Sequence, residues 1–102
     1  MPLYHSKVYG IVQGVGFRPF VSRLAAQHKI LGSVCNKGPY VEIFAQGTAE
    51  CLQDFFRDLE ARPPERAAIL KIDLNELTDA KENYRQFEII ESARERGDIF
   101  VS

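Results

Sequence analysis

A chain of 102 residues, with 45% of them apolar and 13 lysines and arginines set against 14 aspartates and glutamates, is the size of one domain and can bury a core without disulfide staples. Its formal charge of −1 leaves no basic face of the kind that neutralises the phosphates of a nucleic acid. No run reaches the about 20 apolar residues that cross a bilayer, and the first residues lack a basic segment followed by an apolar one. The domain is therefore expected to be soluble and cytoplasmic, with neither nucleic acid nor membrane as a partner.

Residues 6–12, SKVYGIV, are rich in β-branched and aromatic side chains and stop at Gln13-Gly14-Val15-Gly16, which predicts a first strand running into a glycine loop. A helix is expected next, with Pro19 in its first position and Val21, Leu24, Ala25 and His28 on one face, ending near Gly32. Residues 33–37 read as a short second strand. Gly38-Pro39 turns the chain into a third, in which Val41, Ile43 and Ala45 alternate with Glu42, Phe44 and Gln46.

Thr48 can cap a second helix with an apolar stripe of Leu52, Phe55, Phe56 and Leu59, which Pro63-Pro64 terminates. Leu70, Ile72 and Leu74 alternate with Lys71, Asp73 and Asn75 in a fourth strand. A polar turn at residues 79–83 leads to a fifth segment marked by Phe87 and Ile89. The pattern places one domain over residues 1–92, followed by a charged linker at 93–102. The apolar triplet at 99–101 is suited to a following module.

The order β-α-β-β-α-β with a trailing strand defines an α+β, ferredoxin-like arrangement, an antiparallel sheet with both helices on one face. In that topology the first and second strands run the same way on either side of the third. The hairpin after the second strand then meets the loop after the first, and Asn36 is expected beside residues 13–18.

That loop carries the strongest chemical signal. Gly14 and Gly16 allow successive backbone N–H groups to line one concavity, and the start of a helix adds positive partial charge there. Arg18 supplies a permanently charged fork for two phosphate oxygens, and Pro19 is expected to hold it in extended backbone. The segment from Gln13 through Gly14, Val15, Gly16 and Phe17 to Arg18 is thus a candidate phosphate site. GVGFRP has neither the third glycine of a dinucleotide fingerprint nor a Walker lysine.

Other polar residues read as structural. Cys35 and Cys51 lack CxxC spacing and are expected as buried thiols, with no metal site. His5 and His28 have no ligand-spaced partner, and Arg57, Asp58, Glu60 and Arg62 form a solvated helix face. Phe17 and Phe20 are expected as core plugs beneath the loop.

GIVQGVGFR resembles the first signature of the acylphosphatases, and the continuation RPFVSRLA is similar to the corresponding segment of the HypF carbamoyltransferases, where this domain opens a longer chain. The segment GSVCNKG, at residues 32–38, resembles the second signature, with Asn36 at the position of the catalytic asparagine. The resemblance extends over roughly residues 4–91.

It implies that Arg18 and Asn36 are catalytic, that the substrate is a small acyl phosphate, and that no cofactor is needed for this domain. Gly16, where free-standing acylphosphatases carry a bulky aromatic, and the short hairpin at Gly38-Pro39-Tyr40 both resemble the HypF form. That form implies carbamoyl phosphate as substrate. It also implies a chain continuing past Ser102 into paired CxxC zinc sites and modules that use ATP and magnesium, the downstream domains being its partners.

Overall fold

The computed structural model describes residues 2–78 and 84–90. The elements are β1 (Leu3–Ile11), α1 (Phe17–Gln27), β2 (Leu31–Asn36), β3 (Tyr40–Gln46), α2 (Ala49–Ala61), β4 (Ala68–Glu76) and β5 (Phe87–Ile90). One five-stranded sheet has the order β4-β1-β3-β2-β5. β5 lies parallel to β2, and every other neighbouring pair is antiparallel. This is the expected α+β ferredoxin-like fold, with β5 as the trailing strand. The turn expected at 79–83, the linker at 93–102 and its apolar triplet lie outside the described residues.

Alternation in β3 sorts its side chains as expected, and Val41, Ile43 and Ala45 are fully buried. They join Val8 of β1 and Val34 of β2 in a core covered by Val21, Leu24 and Ala25 from α1 and by Leu52, Phe55 and Leu59 from α2. Each of the larger side chains contributes about 1.5–3 kcal/mol on burial. A hydrogen bond of 2.9 Å between His28 Nε2 and Asp58 Oδ2 ties the end of α1 to α2. Asp58 therefore leaves the solvated helix face to which its sequence neighbours assign it.

The opposite face of the sheet is closed by rings rather than helices. Phe44 stacks on His5 at 4.7 Å and faces Tyr84 at 6.4 Å, while Tyr9 and Tyr40 lie 5.4 Å apart. His5 also shares a 2.7 Å hydrogen bond with Glu42. Gln46, expected to point into solvent, is buried, and its Oε1 accepts a hydrogen bond from Tyr84 N–H. Cys35 is buried as expected, whereas Cys51 is only half-buried, and neither forms a disulfide.

The start and end of α1 and the pattern of β4 also depart from expectation. Pro19 is the third residue of α1 rather than the first, which costs no hydrogen bond because N–H groups of the first turn have no partner within the helix. α1 ends at Gln27, well before Gly32. There, Lys29 adopts φ 58°, with Ile30 N–H bonded to Ala25 O at 2.8 Å and Lys29 N–H to Ala26 O at 3.4 Å. This is the reciprocal pair of bonds that closes a helix through a left-handed residue, with lysine where glycine is usual. Gly32 instead lies within β2, where a Cβ would overlap the Phe44 carbonyl oxygen.

The register of β4 against β1 shifts between Tyr9 and Gly10, so that Tyr9 faces Lys71 while Gly10 faces Ile69. Leu70 is bulged out and 80% exposed and Leu74 is exposed as well, while Ile69 takes the place of Leu70 against the core beside Ile72. Strict alternation fails because a bulge sets two residues of one strand against one of the other.

Lys29→Gly should raise stability by about 1 kcal/mol in urea titration, since glycine carries no Cβ penalty in the left-handed region. Leu70→Ser should shift stability by no more than about 0.5 kcal/mol, as at an ordinary surface position. Ile69→Ala should cost about 1–2 kcal/mol, below the range for a fully buried isoleucine; the reverse ranking would contradict the bulge.

Candidate functional site

The loop between β1 and α1 alternates like a short strand. Val15 packs against the core and Phe17 is 1% exposed, whereas Gly14 and Gly16 face outward. The two inward side chains anchor the segment and leave the backbone at Gly14 and Gly16 on its outer side. Gly14 and Gly16 have φ of 70° and 76°, in the left-handed region where other residues pay about 1–2 kcal/mol. A Cβ at either position would meet nothing within 4 Å. Glycine is thus required by backbone angle and not by crowding, and the space above the loop is open.

The two helices begin in opposite electrostatic conditions. At α2, Thr48 Oγ1 accepts from Cys51 N–H at 3.2 Å and Glu50 sits in the first turn, so an orphan donor is satisfied and the dipole answered by a carboxylate. At α1 the cap residue is Gly16, with no side-chain cap and no acidic residue in the first turn. The first-turn donors and the positive end of the dipole therefore remain available to an anion.

Arg18 is the second residue of this helix and half-buried. Its backbone is helical, so Pro19 does not hold it extended as expected. Instead the first turn of α1 fixes it directly. Among the described residues it has no carboxylate partner, which leaves its guanidinium charge uncompensated beside uncompensated N–H groups.

Asn36 ends β2, half-buried, and its Oδ1 accepts from Gly38 N–H at 2.8 Å. The hairpin is closed by Lys37 N–H bonded to Tyr40 O at 2.9 Å. As the topology requires, hairpin and loop meet, and the link is Gln13 Nε2 donating to Gly38 O at 2.9 Å. Gln13, expected among the phosphate-binding residues, thus spends a side-chain donor on the hairpin. Gly38, read from sequence only as a turn residue, is bonded to both segments. The spacing Asn-x-Gly was the available signal, because an asparagine side chain commonly bonds the backbone two residues on.

Among the described residues no group of three or more histidines, cysteines or acids could hold a metal ion, and no helix is long and apolar enough to cross a membrane.

The acylphosphatase family model matches residues 4–89, and the chain belongs to the acylphosphatase family, whose members named acylphosphatase are hydrolases. Its relatives are of two sizes. It is 45% identical over 86 residues to a probable carbamoyltransferase HypF of Methanocaldococcus jannaschii, covering 84% of this chain and 11% of that protein. It is 36% identical over 86 residues to an acylphosphatase of Staphylococcus haemolyticus, covering 84% of this chain and 96% of that one.

Solved structures divide in the same way. T. kodakarensis HypF superposes with a TM-score of 0.82 at 40% identity over 90% of this chain and 12% of that one. The acylphosphatase of Bacillus subtilis superposes with a TM-score of 0.82 at 33% identity over 88% of this chain and 99% of that one. The chain therefore spans about a tenth of the length of the carbamoyltransferases it matches and nearly all of a free acylphosphatase.

Anion binding at this open helix start should be measurable without substrate. Inorganic phosphate or sulfate at about a hundredfold excess over its dissociation constant should add about 2.7 kcal/mol to stability. A thermal midpoint that does not rise with phosphate at constant ionic strength would show the cradle to be misplaced.

Proposed function

We propose that this chain hydrolyses an acyl phosphate, with carbamoyl phosphate as its substrate, as the N-terminal module of a HypF-type carbamoyltransferase of hydrogenase maturation. One observation carries this reading: an uncapped helix start, with no acid in its first turn and bearing Arg18, which has no carboxylate partner among the described residues, is joined to the hairpin of Asn36 by the Gln13–Gly38 bond. Gly16 and the short hairpin support the HypF form, as do relatives in which a segment of this size is about a tenth of the whole. The family's free-standing members support acyl phosphate hydrolysis without the later modules, since one is matched over 96% of its length.

In this reading Arg18 and the N–H groups of Val15, Gly16, Phe17 and Arg18 hold the phosphoryl oxygens, charge against charge. Asn36 cannot serve as a base, because an amide neither gains nor loses a proton near neutrality. Its Oδ1 already accepts from Gly38 N–H, but a carbonyl oxygen has a second lone pair and the NH₂ is a donor, so the group can orient a water in line with phosphorus.

As the water oxygen bonds to phosphorus, the bond from phosphorus to the acyl oxygen breaks. Its electron pair leaves on the carboxylate or carbamate, and the phosphate takes the proton from water. The leaving group is a stable anion and needs no acid. Positioning and electrostatic stabilisation then account for catalysis where no protein base is present.

The two roles separate experimentally. Arg18→Ala should abolish both phosphate binding and turnover of acetyl or carbamoyl phosphate. Asn36→Ala should keep phosphate binding and lose turnover by about 3–4 kcal/mol in the barrier, as for removal of one preorganised group. Equal loss of phosphate affinity in two folded variants would contradict the assignment. Phosphate binding without hydrolysis in the unaltered chain would identify a regulatory module instead.

A further inference from the structure

We infer that Gln13 is a positioning residue, which acts through Gly38 to fix the orientation of the Asn36 amide. The inference deepens the acyl phosphate reading and rests on it. Two hydrogen bonds in series carry it: Gln13 Nε2 donates to Gly38 O at 2.9 Å, and Gly38 N–H donates to Asn36 Oδ1 at 2.8 Å.

The end of an asparagine side chain has a broad, two-fold torsional preference, so its oxygen and nitrogen exchange places at little cost unless a neighbour distinguishes them. A backbone N–H does so, because it can pair with Oδ1 and not with the NH₂. Gly38 therefore decides which end of Asn36 faces the site. Yet Gly38 is a poor anchor by itself. It has φ 98°, and a Cβ there would meet nothing within 4 Å, so its surroundings do not hold it by packing.

The peptide that follows leads to Pro39 and carries no N–H, leaving its carbonyl as the group by which the hairpin tip can be gripped. Gln13 grips that carbonyl from the loop that also begins the cradle. The orientation of Asn36 is thereby set relative to the bound phosphate rather than to its own hairpin alone. A single exposed hydrogen bond contributes little to global stability, so the effect of losing it belongs to turnover and not to folding.

The test compares the unaltered chain with Gln13→Met, which keeps the side-chain length but removes the donor, with Asn36→Ala, and with the double variant. For each, kcat on acetyl phosphate, inhibition by inorganic phosphate, the thermal midpoint and the amide exchange rate of Gly38 by NMR are measured. Gln13→Met should lower kcat by about 10- to 100-fold, the scale of a small misplacement in an active site. It should leave phosphate inhibition and the thermal midpoint unchanged and speed exchange at Gly38. In the Asn36→Ala background it should cost nothing further.

Weakened phosphate inhibition with an unchanged Gly38 would make Gln13 a phosphate ligand and overturn the inference. So would losses that multiply in the double variant. A chain that turns over no acyl phosphate would end the hydrolase reading, and the exchange comparison would still decide the link, because an unchanged Gly38 rate in Gln13→Met refutes it.

Discussion

The double pairing of β3 is the constraint on which the rest of this structure depends. It is hydrogen-bonded along one edge to β1 and along the other to β2, both antiparallel, so those two strands must point the same way. Their C-terminal ends then lie at the same end of the sheet, on either side of β3, and two segments that the chain separates by about one helix and one strand come within hydrogen-bonding reach. Val41, Ile43 and Ala45 make this arrangement costly to disturb, since a slip of one residue would send all three fully buried side chains to the opposite face. The candidate site inherits its geometry from a strand whose inward side chains are fully buried.

Among the described residues, what the fold brings together at the start of α1 is positive charge without a carboxylate partner. The contrast between the two helix starts shows how local this is: Thr48 and Glu50 close one, while Gly16 and the absence of any first-turn acid leave the other open. Pro19 fits the same economy, having no N–H to leave unsatisfied in a turn where the remaining donors face outward. Val15 and Phe17 are withdrawn into the core, where they do not cover the open donors, and Gln13 is turned onto the hairpin. The chemistry proposed for such a place is correspondingly economical in protons, for a leaving carboxylate needs none and the phosphate supplies its own acceptor.

Local signals carried much of this into the sequence. The alternation of Val41, Ile43 and Ala45, the cap at Thr48 and the stop at Pro63-Pro64 each act over a few residues, and each is found where its chemistry puts it. The spacing of Gly14, Gly16, Arg18 and Asn36 likewise exposed the two segments of the candidate site.

The features that were not legible depend on partners distant in sequence or on backbone angles with no compositional mark. Leu70 looks like a core residue until Gly10 and Tyr9 impose their register. Asp58 looks solvated until α1 brings His28 to it, and Gln46 until Tyr84 needs an acceptor. Lys29 ends a helix in a conformation usually left to glycine. Gln13 is the instructive case: its motif points to phosphate, but the partner of its amide is a carbonyl 25 residues away.

The bulge in β4 bears on how the molecule meets copies of itself. β4 forms one edge of the sheet, and an unbroken edge strand offers a ladder of donors and acceptors on which another chain can extend the sheet. Here the ladder is interrupted near its start: Leu70 stands out of register, and Lys71, drawn over the ring of Tyr9 at 5.6 Å, adds a charge beside it. An incoming strand would have to match a kink and desolvate a lysine to lengthen the sheet at that point. The irregularity that defeats a simple reading of β4 therefore also guards this border against edge-to-edge association.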